Sequence, residues 1–199
     1  MWLYGASGHG KVIRDILESQ GRKVDGFIDD DSSINEMYGL PVLHTADNAD
    51  EVFISIGENK TRERIANRLH CIFPHAAIHA SAIISESVII GDGSVVMPGT
   101  VINTDTIIGE HCIVNTGASI DHECRIGDFA HISPGAHLCG QVHVGEGTLI
   151  GVGSSVIPCV HIGKWCVIGA GSVVVNDIPD GYLAYGNPCK LVKMIEGKI

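Results

Sequence analysis

The chain has 199 residues, is 45% hydrophobic but only 5% aromatic, and carries a net charge of −10 from 13 basic and 23 acidic residues. That balance, with no basic run, argues against nucleic acid or an anionic membrane surface as a partner. No apolar run approaches spanning length, Met1-Trp2-Leu3-Tyr4-Gly5 is not a signal peptide, and the seven cysteines are odd in number without CxxC spacing, so a cytoplasmic protein with reduced thiols is expected.

Trp2-Leu3-Tyr4 reads as a short strand that runs into Gly5-Ala6-Ser7-Gly8-His9-Gly10, and Val12, Ile13, Ile16 and Leu17 then follow a helical spacing that stops at Gly21. Strand, glycine loop and helix cradle phosphate when backbone donors and the positive helix end face the anion. The spacing here is G-x-x-G-x-G rather than the dinucleotide G-x-G-x-x-G, so the loop alone fits a ligand-free tight turn equally well. Val24 to Ile28 gives a second strand ending on Asp29-Asp30-Asp31, and Val52 to Gly57 a third, followed by a helix over Asn59 to Leu69 with Ile65 and Leu69 on one side. Ligands of parallel α/β sheets gather at the carboxyl ends of strands, and three such ends converge here, which favours nucleotide binding over a set of solvated turns.

From Ile78 to Val174 every sixth residue is Ile, Val or Leu, seventeen in succession. Neither a helix nor a flat strand has that period; a hexapeptide parallel β-helix does. The residue four beyond each aliphatic is Ala, Val, Ser, Thr or Cys in the first sixteen hexads, small enough for the walls of a narrow coil to approach. The residue directly after it is Gly, Asn or Asp in ten of the seventeen, types that tolerate the positive φ expected at a tight corner. Three hexads make one triangular turn, so five to six turns are expected. Cys112, Cys124 and Cys166 fall at the small inward position and read as core filler, while Cys71, Cys139, Cys159 and Cys189 have no assigned role.

After Val174 the repeat gives way to Ile178-Pro179-Asp180-Gly181 and then Gly186-Asn187-Pro188-Cys189-Lys190 with a short basic tail. The expected organisation is residues 1–73 as an α/β nucleotide-sugar-binding domain, 74–178 as the β-helix and 179–199 as a tail packing on it.

The hexads, that closing segment and Ile120-Asp121-His122-Glu123-Cys124-Arg125-Ile126-Gly127 resemble the hexapeptide acyltransferases. Tyr4-Gly5-Ala6-Ser7-Gly8-His9-Gly10, Phe27-Ile28-Asp29-Asp30 and Ser55-Ile56-Gly57 narrow the resemblance to the N-acetyltransferases of UDP-4-amino-sugars, of the kind that make UDP-N,N′-diacetylbacillosamine, and to the sialic acid O-acetyltransferases. This resemblance implies a small Rossmann-like α/β domain followed by a left-handed β-helix. It also implies acetyl-CoA as co-substrate with no metal, a UDP-amino-sugar as acceptor, and a homotrimer with sites between subunits. By motif match His122 is the general base and Glu123 its orienting partner; Ser7, Gly8, His9, Asp29, Asp30 and Gly57 hold the nucleotide sugar; His131, Gly140, Val152 and Ala170 hold acetyl-CoA. The family usually has Ala where Cys189 stands and often Gly at Ala170.

The chemistry of these residue types agrees with that assignment. An amine attacking a thioester must lose a proton, which a histidine can take, and a carboxylate beside it fixes the tautomer and stabilises the imidazolium. The Gly140 N–H is the economical donor for the oxyanion.

Among the other histidines, His44, His70, His75, His79 and His111 read as solvated side chains, and His143 and His161, eighteen apart, should stack about 5 Å apart on one face. His131, His137 and His143 share one hexad position on three successive faces. Two rival classes remain. A zinc hydrolyase of the trimeric β-helix type would use a His-x4-His pair inside the coil, whereas His70 and His75 form the only such pair and lie outside it. A non-catalytic binder would take a nucleotide sugar and ignore acetyl-CoA.

Overall fold

The computed structural model describes residues 1–47 and 49–195. The N-terminal sheet is built from β1 (Trp2–Tyr4), β2 (Gly26–Ile28), β3 (Glu36–Met37), β4 (Leu40–Leu43) and β5 (Val52–Ile54), in the order β3-β4-β2-β1-β5. All pairings are parallel except β3 with β4, a hairpin whose two loop residues, Tyr38 and Gly39, both have positive φ (55° and 72°) as a two-residue turn of that kind requires. Helix α1 (Gly8–Ser19) covers one face through Ile13, Ile16 and Leu17, and α2 (Asn59–Arg68) covers the other, where Ile65 meets Tyr4, Ile28 and Ile54.

From Ala77 to Val174 the chain forms seventeen strands of two residues, β6 (Ala77–Ile78) through β22 (Val173–Val174) at six-residue intervals, and each of β6 to β19 is paired in parallel with the strand three further on. Three faces result. The first starts at β6, holds six of the strands and is extended by β23 (Tyr182–Gly186) and β24 (Cys189–Met194); the second starts at β7 (Ile83–Ile84) with six, and the third at β8 (Ile89–Ile90) with five. This is a parallel β-solenoid of hexapeptide repeats. The aliphatic at each stop points inward: from Val96 to Val174 every one is buried. The inward small residues do more than fill space. Ser94, Thr100, Thr106, Thr148 and Ser154 donate their hydroxyls to carbonyls fifteen residues on, and the thiols of Cys112, Cys124 and Cys166 take the same place.

The corners correct one expectation. From Ile90 to Ile168, positive φ falls three residues after each aliphatic, as at Gly99, Asp105, His111, Gly117 and Glu123, rather than on the residue directly after it. The glycines directly after the aliphatics are there for closeness. A Cβ on Gly91 would lie 2.6 Å from the Gly109 carbonyl carbon, and one on Gly145 would lie 2.5 Å from that of Gly163. Two different demands on glycine therefore share each corner.

The three edges of the coil differ in chemistry. Between the first and second faces the positive-φ position is Gly99, Gly117, Gly135, Gly153 and Gly171 in turn. Between the third and first it is Gly93, His111, Phe129, Gly147 and Trp165, an edge with aromatics. Between the second and third it is Asp105, Glu123, Gln141 and Cys159, none of them glycine.

The α/β part docks on the first face and the aromatic edge. Ile13, Ile16 and Leu17 of α1 share a core with Ala77, Val95, Met97 and Ile113 of the coil. Arg62 of α2, only 1% exposed, spends its guanidinium on oxygens of both parts: Ile56, Gly57 and the Asn59 side chain on one side, His111 (2.7 Å) and Phe129 (2.7 Å) on the other. His111 is accordingly not solvated as expected. It is 3% exposed, stacked on Phe129 and edge-on to Phe73, because the corner it occupies is the one the α/β part covers.

Candidate functional site

On the edge between the second and third faces, between β13 (Ser119–Ile120) and β14 (Arg125–Ile126), the corner presents His122 and Glu123 to solvent, each about half exposed. His122 Nδ1 lies 3.0 Å from Glu123 Oε2. With Glu123 accepting from Nδ1–H, the Nε2 lone pair is left to face outward, the arrangement a general base needs. Asp121 steadies the backbone beneath: its Oδ1 accepts from the His122 amide and from the Asn103 side chain one turn earlier. The Glu123 carboxyl is held below the usual range, first by a hydrogen bond from Gln141 and then by His122. Glu123 adopts φ 58°, a left-handed conformation more readily taken by glycine, so a side chain is retained there against a backbone preference.

Gly140, one turn on, is the only glycine among the corner residues of this edge. A Cβ there would come within 2.5 Å of His122 Cε1 and Nε2. Its φ is not in the left-handed range. Gly140→Ala is therefore expected to leave the melting temperature within about 1–2 °C while displacing the imidazole, lowering kcat by about tenfold or more. An unaltered kcat would show that the ring has room to spare.

The residues expected to hold a nucleotide sugar gather at the carboxyl ends of β1, β2 and β5. Ser7 caps α1 without using its hydroxyl in a cap bond, and Gly8 opens the helix, so its first-turn amides face outward. Gly10 admits the loop: a Cβ there would meet the Gly5 carbonyl oxygen at 2.4 Å. Asp29 is spent inside the protein, its carboxylate accepting from the amides of Ala6 and Asp31, so it pins the glycine loop to the end of β2. Asp30 accepts from the Tyr4 hydroxyl, which Arg68 also contacts, at the wall of a cavity of about 1030 Å³. Burial, followed by Asp30, pushes the Tyr4 phenol up to about 12.

Gly57 and His9 meet the coil at His131. The His131 ring shares a hydrogen bond with the Asn115 side chain (3.0 Å). Burial first, then the Arg62 charge, lowers His9, His111 and His131 to about 4, so these three rings are neutral at neutral pH. Below His131 an apolar groove of about 620 Å³ continues along Leu149, Val167 and Trp165 to Ile195, with the start of α2 as its rim. Val152 and Ala170 are exposed and lie on the glycine edge, not in that groove.

The expected site residues thus fall into two groups. Ser7, Gly8, His9, Asp29, Asp30, Gly57 and His131 belong to the α/β part and the face beneath it. His122, Glu123 and Gly140 stand on the one edge that is neither aromatic nor glycine-lined, with the second face of the coil between them and Val152 and Ala170. Arg62, which organises the junction, was not singled out in the sequence; its spacing with Asn59 and Ile65, all three buried on one side of α2, is the signal that marks it.

Residues 1–69 match the PglD N-terminal domain family, and residues 141–176 match the bacterial transferase hexapeptide (six repeats) family. A perosamine N-acetyltransferase from Caulobacter crescentus, solved as a histidine-to-asparagine variant with CoA and GDP-perosamine, is 39% identical with a TM-score of 0.91, and the match covers 96% of each chain. The chain belongs to the PglD-type hexapeptide N-acetyltransferases. The acetyltransferase domain of PglB from Neisseria gonorrhoeae FA1090, also solved with acetyl coenzyme A, resembles this chain at 36% identity and a TM-score of 0.87, covering 96% of this chain and 98% of that one. A curated relative, the UDP-N-acetylbacillosamine N-acetyltransferase of Bacillus subtilis (strain 168), is 39% identical over 107 residues. The chain spans about half the length of that relative, and 21% of a second curated match from Acanthamoeba polyphaga mimivirus. Among the described residues no cluster of three His, Cys, Asp or Glu could hold a metal, and no helix is long and apolar enough to cross a membrane.

Proposed function

We propose that the protein transfers the acetyl group of acetyl-CoA to the amine of a nucleotide-linked 4-amino sugar, with His122 as general base. The observation that carries the reading is the His122–Glu123 pair, 3.0 Å apart on an exposed corner that carries polar side chains where other corners carry glycine. The amine nitrogen attacks the thioester carbonyl, and His122 Nε2 takes the proton as the C–N bond forms. The negative oxygen of the tetrahedral intermediate meets a backbone N–H such as that of Gly140. Collapse breaks the C–S bond, and the departing thiolate takes the proton back from the imidazolium. Glu123 stays ionised throughout and stabilises the charged ring.

The separation of the two groups supports a site completed by a second copy of the chain, and we propose the homotrimer on that ground. The nucleotide loop docks on the first face, while His122 stands on the edge between the second and third. A neighbouring coil presenting its His122 edge to the glycine edge and groove would bring base, sugar and thioester together. The apolar groove below His131 and the bare glycine edge suit the narrow, flexible arm of CoA.

For the acceptor, UDP-4-amino-4,6-dideoxy sugar is the first reading, supported by the Bacillus subtilis relative, and GDP-perosamine the second, supported by the Caulobacter crescentus structure. A thiol-release assay with acetyl-CoA against UDP-4-amino sugars, GDP-perosamine and sialic acid tests the proposal. Release with a 4-amino sugar nucleotide is expected; release with sialic acid alone would replace amine by hydroxyl as the acceptor, and none with any would leave a binder.

A further inference from the structure

The His122 edge carries a second feature that the acetyl-transfer reading does not use. Glu123, Gln141 and Cys159 follow one another at eighteen-residue intervals, one per turn, each in the left-handed conformation (φ 58°, 61° and 63°). Seven other coil corners fill that position with glycine: Gly93, Gly99, Gly117, Gly135, Gly147, Gly153 and Gly171. Three successive side chains are kept where the backbone favours none.

They form one directed chain of hydrogen bonds. Gln141 Nε2 donates to Glu123 Oε2 at 3.0 Å, the same oxygen that faces His122 Nδ1 at 3.0 Å. Gln141 Oε1 accepts from the Cys159 thiol at 3.3 Å. An ionised carboxylate can only accept, so the NH2 end of the amide faces Glu123 and its oxygen is left to accept from the Cys159 thiol. A carboxylate on an exposed corner has several rotamers open to it. Two donors converging on one oxygen select the rotamer that meets the imidazole.

We infer that Gln141 is a positioning residue of the transfer reaction, holding the Glu123 carboxylate in the one orientation that aims His122, with the Cys159 thiol holding the far end of the Gln141 amide. The inference rests on His122 being the base. Gln141 itself touches neither acetyl-CoA nor sugar in this role. Its loss lowers the fraction of enzyme with a correctly aimed imidazole and leaves ligand binding alone. In kinetic terms it acts on kcat rather than on KM.

The test is a double-mutant cycle on the purified enzyme, with acetyl-CoA and whichever of UDP-4-amino-4,6-dideoxy sugar and GDP-perosamine it turns over. Gln141→Ala is expected to lower kcat by about tenfold with both KM values unchanged. Gln141→Gly, which relieves the left-handed backbone, should melt no lower than the parent and show the same loss of kcat; a merely structural corner would show none. On a Glu123→Ala background Gln141→Ala should add nothing further, since the group it holds is gone. Losses that multiply, or a full kcat in Gln141→Ala, would overturn the inference while leaving the base in place. A full kcat in His122→Ala would instead remove the reading beneath it, so the two failures are told apart.

Discussion

Replacing His122 by alanine is expected to lower kcat by about 10²- to 10⁴-fold, the range over which a positioned general base contributes. The side chain is about half exposed, and its ring bonds only to Glu123 among the described residues. No buried group is orphaned by the truncation, and the aliphatic stop beneath it, Ile120, is untouched and fully buried. The melting temperature should therefore stay within about 2 °C. Acetyl-CoA affinity, measured by calorimetric titration, should be retained, because the CoA contacts proposed at Val152, Ala170 and the groove lie on other parts of the coil. Full turnover in this variant would show that another group takes the proton. Loss of CoA binding together with turnover would mean that His122 holds the co-substrate instead.

The second large effect is on stability. Arg62→Met is expected to cost about 3–5 kcal/mol, the range for stripping partners from buried charged or polar groups. Among the described residues the guanidinium has no carboxylate partner: its hydrogen bonds go to four carbonyl oxygens and the Asn59 side-chain oxygen. Burial brings it down to about 10, still far above neutrality, so it is a cation at working pH. Methionine would fill much of the volume and leave the carbonyls of Ile56, Gly57, His111 and Phe129 without a donor. Arg62→Lys should fare little better, since one ammonium cannot span oxygens on α2, the Gly57 loop and two turns of the coil at once. Urea unfolding followed by near-ultraviolet absorbance of Trp2 and Trp165 checks this. A midpoint unchanged in Arg62→Met would mean that water takes over these bonds without loss.

The coil was open to reading because its signal is redundant. Seventeen aliphatics at one spacing leave no other architecture, and the pairing of Ile113 with Val95 and His131 repeats the eighteen-residue step. The corners were harder. Glycine serves there for two separate reasons, and sequence counts do not separate close approach at Gly91 and Gly145 from positive φ at Gly99 and Gly117. Period also says which side chains point outward without saying what covers them, which is why His111 reads as solvated and proves buried under the α/β part. The stacking of His143 on His161, with ring centroids 4.4 Å apart, follows from the period alone and was expected.

In the candidate site, the His122–Glu123 pair is legible from motif and phase together, and the two side chains stand in hydrogen-bond contact. Asp29 reads as a ligand carboxylate by position, yet its oxygens are occupied by Ala6 and Asp31; position at a strand end does not reveal how many backbone donors lie within reach. The hairpin of β3 and β4 went unseen because its strands are only two and four residues long, although Tyr38-Gly39 carried the turn. Arg62 escaped because an arginine in a polar helix is ordinarily solvent-facing.

The assignment of one chemistry to each edge has a consequence for how such a chain can change length. A residue returns to its own edge only after eighteen positions, so the coil has a unit of insertion three hexads long. Removing a single hexad between Phe129 and Gln141 would preserve every inward aliphatic and still turn all that follows by a third of a circle. Gln141 would then leave Glu123, and Trp165 would leave the α/β part. The fold tolerates sixes; the division of labour among its edges counts in eighteens.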